Sequence, residues 1–175
     1  QLSNSAIAIA TIKVLQQQGW LIPELAIQTG INKTRWRGRL QWTTWNDCPL
    51  LIDGAHNPAA AIALRQYVDT LERPVTWVMG MLSTKDHEDI FEALLRPNDE
   101  LHLVPVPGHS SADPEELATL AIQVCPRLNN CQTHQDVAQA LDMAIAQSDQ
   151  DPDRLTILCG SLYLIGSISC LKQNT

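Results

Sequence analysis

A short apolar run, Pro49-Leu50-Leu51-Ile52, stops at Asp53-Gly54-Ala55-His56-Asn57-Pro58, and beyond it Ala61, Leu64, Val68 and Leu71 recur at helical spacing. The run has the length of one buried strand, so the hexapeptide is a strand-to-helix turn. Asn57 suits the N-cap, and Pro58 suits the first helical position because it has no N–H to leave unpaired. Asp53 and His56 thereby fall at the carboxyl end of a strand, beside a helix N-terminus. In open α/β sheets that edge holds ligands, and a helix N-terminus favours anions. These features imply an anion or nucleotide site. Asp53 and His56 are equally suited to capping and hydrogen-bonding the turn and nothing more.

The rest of the chain repeats the strand-then-helix grammar. The sequence predicts helices over 4–18, stopped by Gly19, and 23–29, closed by Gly30. The first is apolar on most sides and expects burial against further protein. A basic stretch with Lys33, Arg35, Arg37 and Arg39 reads as an interdomain linker. Strand-like residues at 40–45 and 50–53, separated by Asn46-Asp47, read as an antiparallel hairpin. Helices are expected at 57–71, 86–95, 113–125 and 134–147, and strands at 74–80, 100–105, 154–159 and, weakly, 128–132. An apolar stretch, 161–171, closes the chain. Such alternation argues an α/β, Rossmann-like, mostly parallel sheet with helices on both faces, an antiparallel N-terminal edge hairpin and a short helical segment before it.

Twelve basic against nineteen acidic residues give a net charge of −7, which disfavours general nucleic-acid binding. The five cysteines show no CxxC or His/Cys spacing, so no metal site is expected. Cys159 and Cys170 read as buried small hydrophobes, and reduced thiols in a cytoplasmic setting are the expectation. No run spans a membrane. The chain opens at Gln1, without an initiator methionine and already in helical sequence, and reads as a piece of a longer protein.

Asp-Gly-Ala-His-Asn-Pro resembles the signature of the folylpolyglutamate synthase and dihydrofolate synthase family, within the wider Mur ligase superfamily. Thr34-Arg35-Trp36-Arg37-Gly38-Arg39-Leu40 is similar to the family's Trp-Pro-Gly-Arg linker, with Arg37 where proline is usual. Gly80-Met81-Leu82 with Lys85-Asp86, and Gly160-Ser161-Leu162-Tyr163-Leu164-Ile165-Gly166, resemble two further strand ends in the family's order. The resemblance implies a fold of the Mur ligase C-terminal-domain type. It divides the chain into 1–32, the helical tail of an ATP-binding domain, 33–39, a linker, and 40–175, a C-terminal glutamate-ligase domain. It implies an ATP-dependent ligase that joins L-glutamate to dihydropteroate or folate through an acyl phosphate, with Mg²⁺ as metal. No Gly-x-x-Gly-Lys-Ser/Thr loop occurs here. The family keeps that loop and its metal ligands in an N-terminal domain, so this chain alone is expected to be inactive and to need that domain as its partner.

By the same resemblance Arg39 reaches the ATP phosphates, where a planar, permanently charged fork of donors is suited to the work. Asp53 accepts from the ribose hydroxyls, and Asn4 makes an adenine- or ribose-side contact unless it simply caps its helix. His56 lies near the acyl phosphate and the incoming glutamate, as the catalytic residue and a glutamate contact. Ser161 binds glutamate or serves only as an N-cap. Arg35 and Arg37 read as surface charges, and His87, His102, His109 and His134 as surface or loop residues. Two other functions fit the same pattern: a Mur-type peptidoglycan-precursor ligase domain, and a non-catalytic nucleotide-binding Rossmann-like module.

Overall fold

The sheet begins with a hairpin whose turn fixes the register of its two strands. β1 (Gln41–Trp45) and β2 (Cys48–Ile52) pair antiparallel, with Trp45 opposite Cys48. Asn46 and Asp47 between them have φ of 47° and 63°, as a two-residue type I′ turn requires of both central residues. This is a computed structural model, and it describes residues 2–34, 36–148 and 151–171. Two compact units divide it, Gln1–Arg37 and Gly38–Thr175.

The first unit holds α1 (Leu2–Gln17) and α2 (Glu24–Lys33). Gly19, at φ 94°, ends α1 in a Schellman arrangement: its N–H bonds Gln16 O and the Trp20 N–H bonds Leu15 O. Lys13 pairs with Glu24 at 2.9 Å, and Gln16 Nε2 donates to Ile22 O at 2.6 Å, tying the two helices. α2 runs through Gly30, where the sequence predicts a stop. A helical glycine costs only about 1 kcal/mol, and the end is made instead by Thr34, whose N–H and hydroxyl both bond Gly30 O. Ile7, Val14, Leu21 and Leu25 are exposed.

In the second unit β2 is followed by α3 (Pro58–Asp69), β3 (Val75–Met79), α4 (His87–Leu94), β4 (Glu100–Leu103), α5 (Pro114–Val124), β5 (Asn130–Thr133), α6 (Val137–Ser148), β6 (Leu155–Cys159) and α7 (Leu162–Leu171). The described strands form one sheet in the order β1-β2-β6-β3-β4-β5, parallel except at β1. The chain leaves β2 for β3, builds outward to β5, then returns to insert β6 between β2 and β3. The carboxyl ends of β2, β3 and β6 therefore converge, which is where such sheets open a crevice.

Both faces of the sheet are covered, as near-continuous apolar strands demand. Leu51, Trp77, Met79, Leu101, Leu103 and Ile157 pack under α3, α4 and α5. The alternate residues Leu50, Ile52, Val78, Val104 and Leu158 pack under α6 and α7. Period-two alternation sorts one strand's side chains between two cores. His102 belongs to the second face and is fully buried, which corrects the surface assignment made from sequence. Its Nδ1 bonds His134 Nε2 at 2.8 Å and its Nε2 bonds Gln147 Oε1 at 3.2 Å. The sequence-predicted loop residue is thus a satisfied core histidine.

Close approaches at the carboxyl edge rest on glycine. A Cβ on Gly160, whose φ is 97°, would lie 2.7 Å from Gly80 O, and one on Gly80 would lie 2.7 Å from Val104 O. A Cβ on Gly54 would run into Leu162 Cδ2, a side-chain atom that can give way. Gly160→Ala should therefore destabilise the domain by about 3 kcal/mol, from left-handed strain plus a backbone clash. Gly54→Ala should cost about 1–3 kcal/mol, and adding Leu162→Ala should recover part of it, as denaturant midpoints of the three variants would register.

Burial, then the neighbouring His134, pushes the His102 pKa from 6.5 down to about 4, against smaller opposing effects of Gln147 and Glu100. A depressed histidine means that the unfolded chain takes the proton first as pH falls. Stability is then complete above about pH 6.5 and is lost progressively towards pH 4, by on the order of 2–3 kcal/mol. Urea unfolding from pH 7.5 downward should show this slope, and His102→Leu should flatten it.

Candidate nucleotide and glutamate site

Asp53 directly follows β2 and stands at the carboxyl edge of the sheet. Its own N–H continues the ladder to Leu158 O at 3.0 Å. The side chain is 6% exposed, and both oxygens accept backbone amides: Oδ2 from Leu40 at 2.8 Å and Oδ1 from Ala55 at 2.9 Å. Burial holds the Asp53 pKa above its ordinary value, an effect only partly offset by the Leu40 and Ala55 amides and then by Arg39 and His56. Arg39 and His56 are the chain neighbours of Leu40 and Ala55, whose amides this carboxylate accepts. Each carboxylate oxygen keeps a second lone pair after accepting one amide.

The turn that follows is built as its residue types dictate. Asn57 caps α3 by accepting the Ala60 N–H at 2.9 Å, and Pro58 takes the first helical position. His56, half-buried, bonds Gly54 O through Nδ1 at 2.8 Å. A carbonyl only accepts, so Nδ1 donates in this bond, and Nε2 takes no part in it.

Ser161 is 3% exposed and sits between β6 and α7. Its Oγ accepts the Tyr163 N–H at 3.2 Å, so it is an N-cap in geometry, and the hydroxyl proton is left to donate. Leu162 packs over Gly38 and against Gly54, which carries the Ser161 turn to the Asp53 turn. Arg39, Asp53, His56 and Ser161 all lie on this edge of the second unit.

Asn4 lies inside α1, exposed, two residues beyond the helix start rather than at a cap, and belongs to the first unit. Arg37 is exposed, and Arg35 lies outside the described residues. Asp86 takes the N-cap position of α4 without a side-chain cap bond. Cys159 is fully buried; the Cys170 side chain lies outside the description.

One feature of the edge is illegible in the sequence. His109, on the loop after β4, stacks on Tyr163 with ring centroids 3.7 Å apart. That loop is pinned to the one after β3 by Ser83 N–H to Ser110 O at 2.9 Å and by the paired Ser83 and Ser110 hydroxyls at 2.8 Å. Pro105, Pro107 and Gly108 signal the turn, but no local signal reports a ring some fifty residues further along.

A family model described as dihydrofolate synthetase, C-terminal domain, matches residues 37–173. Among curated proteins the chain is similar to a folylpolyglutamate synthase of Lacticaseibacillus casei, 34% identical over 172 residues, which take in 96% of this chain and 37% of that protein. Among solved structures it resembles Mycobacterium tuberculosis folylpolyglutamate synthase complexed with ADP, at 28% identity and a TM-score of 0.73 over 87% of this chain and 36% of the other. It also resembles a bifunctional folylpolyglutamate synthase/dihydrofolate synthase of Yersinia pestis complexed with AMPPNP and Mn ion, at 25% identity and a TM-score of 0.68 over 93% of this chain and 37% of that one. The chain spans less than half the length of each of these relatives. With a parallel sheet closed by an antiparallel edge, and the Asp53 turn at its carboxyl side, the chain belongs to the dihydrofolate synthetase C-terminal-domain family.

Proposed function

We propose that this chain is the C-terminal part of an ATP-dependent ligase that joins L-glutamate to dihydropteroate or folate. The observation that carries this reading is the buried Asp53 carboxylate at the carboxyl edge, which accepts the amide of Leu40, next to Arg39, and the amide of Ala55, next to His56, in a domain of this family. Residues 1–32 are then the tail of the ATP-binding domain, 33–39 the linker and 40–175 the glutamate-ligase domain. Relatives crystallised with ADP, or with AMPPNP and Mn ion, support nucleotide and divalent-metal use by the whole enzyme.

The donor set fits a nucleoside triphosphate. A guanidinium offers paired donors and fixed charge to phosphate oxygens, and the Asp53 lone pairs suit two adjacent ribose hydroxyls. The role of Asn4 in nucleoside binding rests on the family resemblance alone. In the reaction ATP phosphorylates the acceptor carboxylate, and the glutamate amine then displaces phosphate from the acyl phosphate. Arg39 offsets the charge that gathers on the phosphates. In its neutral form His56 accepts a hydrogen bond from the glutamate amine at Nε2 and orients the amine nitrogen towards the acyl carbon, while the Ser161 hydroxyl donates to a glutamate carboxylate.

The fit does not extend to Mg²⁺. Among the described residues no group of three His, Cys, Asp or Glu side chains could hold a metal ion. No metal step is therefore assigned to this domain; the phosphate loop and the metal ligands belong to the portion of the enzyme outside this chain. No helix among the described residues is long and apolar enough to cross a membrane.

The test is ATP-dependent glutamate incorporation by the full-length protein, with dihydropteroate and folate as acceptors. Arg39→Ala should lower kcat/KM by about a hundredfold or more while leaving the thermal midpoint within about 2 °C of the parent. Unchanged kinetics would remove Arg39 from the nucleotide site. A wild-type enzyme inert towards both acceptors, yet active with a peptidoglycan precursor, would replace the acceptor assignment with the Mur-type one.

A further inference from the structure

We infer that Leu40 is a positioning residue: the Asp53 carboxylate holds it in a left-handed backbone conformation that sets the direction in which Arg39 leaves the chain. The inference rests on the reading of Arg39 as a contact to the ATP phosphates. Leu40 has φ 42°, a region that a leucine occupies at a cost of about 1–2 kcal/mol. Such strain persists only where the surroundings over-determine it.

Here they do. The Leu40 N–H donates to Asp53 Oδ2 at 2.8 Å, and its half-buried side chain packs against the core under α3. On the other side of Arg39, Gly38 is also left-handed, at φ 71°. The Gly38 N–H donates to Gln41 Oε1 at 2.9 Å, and Gly38 O accepts the Gly54 N–H at 2.7 Å. Arg39 is therefore flanked by two positive-φ residues whose polar backbone groups are anchored to Gln41, Asp53 and Gly54. The backbone at Arg39 cannot swing without breaking one of these bonds. The anchor is also the carboxylate assigned to the ribose, so one side chain sets both ends of the nucleotide contact.

A simpler role for Leu40 is to fill the core, and two substitutions separate the roles. Asparagine tolerates the left-handed region but loses the apolar contact; valine keeps an apolar side chain, but its β-branch is disfavoured there. The measurements are kcat and KM for ATP in the full-length enzyme carrying Leu40→Asn, Leu40→Val, Arg39→Ala or Arg39→Ala with Leu40→Val. Leu40→Val should lower kcat about ten- to a hundredfold, Leu40→Asn no more than about threefold, and on the Arg39→Ala background valine should add less than about twofold. Should the valine variant fail to fold, Gln41→Ala takes its place: it frees the Gly38 N–H without touching the core and should slow turnover only where Arg39 is present. Greater loss with asparagine than with valine overturns the inference, as does a valine or Gln41→Ala loss that multiplies in full on Arg39→Ala. A silent Arg39→Ala overturns the phosphate reading itself, and this inference with it.

Discussion

The buried Asp53 carboxylate is the interaction on which the functional edge depends. It takes one amide from the segment that enters the domain and one from the turn that leaves β2. A carboxylate that accepts two backbone amides in a desolvated setting is strongly directional, because removing either partner leaves a buried charge under-satisfied. Arg39 is tied to it through Leu40, and His56 sits on the same turn, bonded to the Gly54 carbonyl.

Close packing of backbone on backbone then brings the other strand ends to the same place. Gly54 N–H bonds Gly38 O, Gly160 lies against Gly80, and Gly80 lies against the Val104 carbonyl. A side chain at Gly80 or Gly160 would run into the backbone of Val104 or Gly80 and force these strand ends apart. Leu162 fills the remaining space over Gly38 and Gly54 and joins the Ser161 cap to the Asp53 turn.

The opposite edge of the sheet holds buried charges of another kind. Arg65 pairs with Asp99 at 3.0 Å and with Asp69, while Trp77 Nε1 donates to the same Asp99 oxygen at 2.9 Å. Glu100 accepts from Thr76 and Asn129 and lies 3.7 Å from Arg154. These groups satisfy one another at the amino ends of β3 and β4. Breaking the Arg65–Asp99 pair leaves an uncompensated charge in the interior, so this network secures the fold rather than offers chemistry. Among the buried carboxylates, position separates Asp53 from this set: it stands at the carboxyl ends of the strands, beside a helix N-terminus.

What the sequence determined by itself is what short-range physics decides. Alternating apolar periods set the strand and helix order, Asn46-Asp47 set the hairpin, and Asn57-Pro58 set the start of α3. From those followed the parallel sheet and the place of Asp53 and His56 on it. Helix ends were less legible: Gly30 reads as a stop, yet α2 passes through it because Thr34 offers the better cap. Tertiary structure alone decided matters that depend on partners distant in the chain. Leu40 reads as a strand residue, but the bond to Asp53 turns it left-handed and excludes it from β1. His102 reads as surface because a histidine is polar, and it is buried because His134 and Gln147 satisfy it across the fold. The stack of His109 on Tyr163 has the same origin, since a contact across so many residues leaves no trace in local propensity. Propensity and spacing act over a few residues; burial and long-range hydrogen bonds act only once the chain has closed on itself.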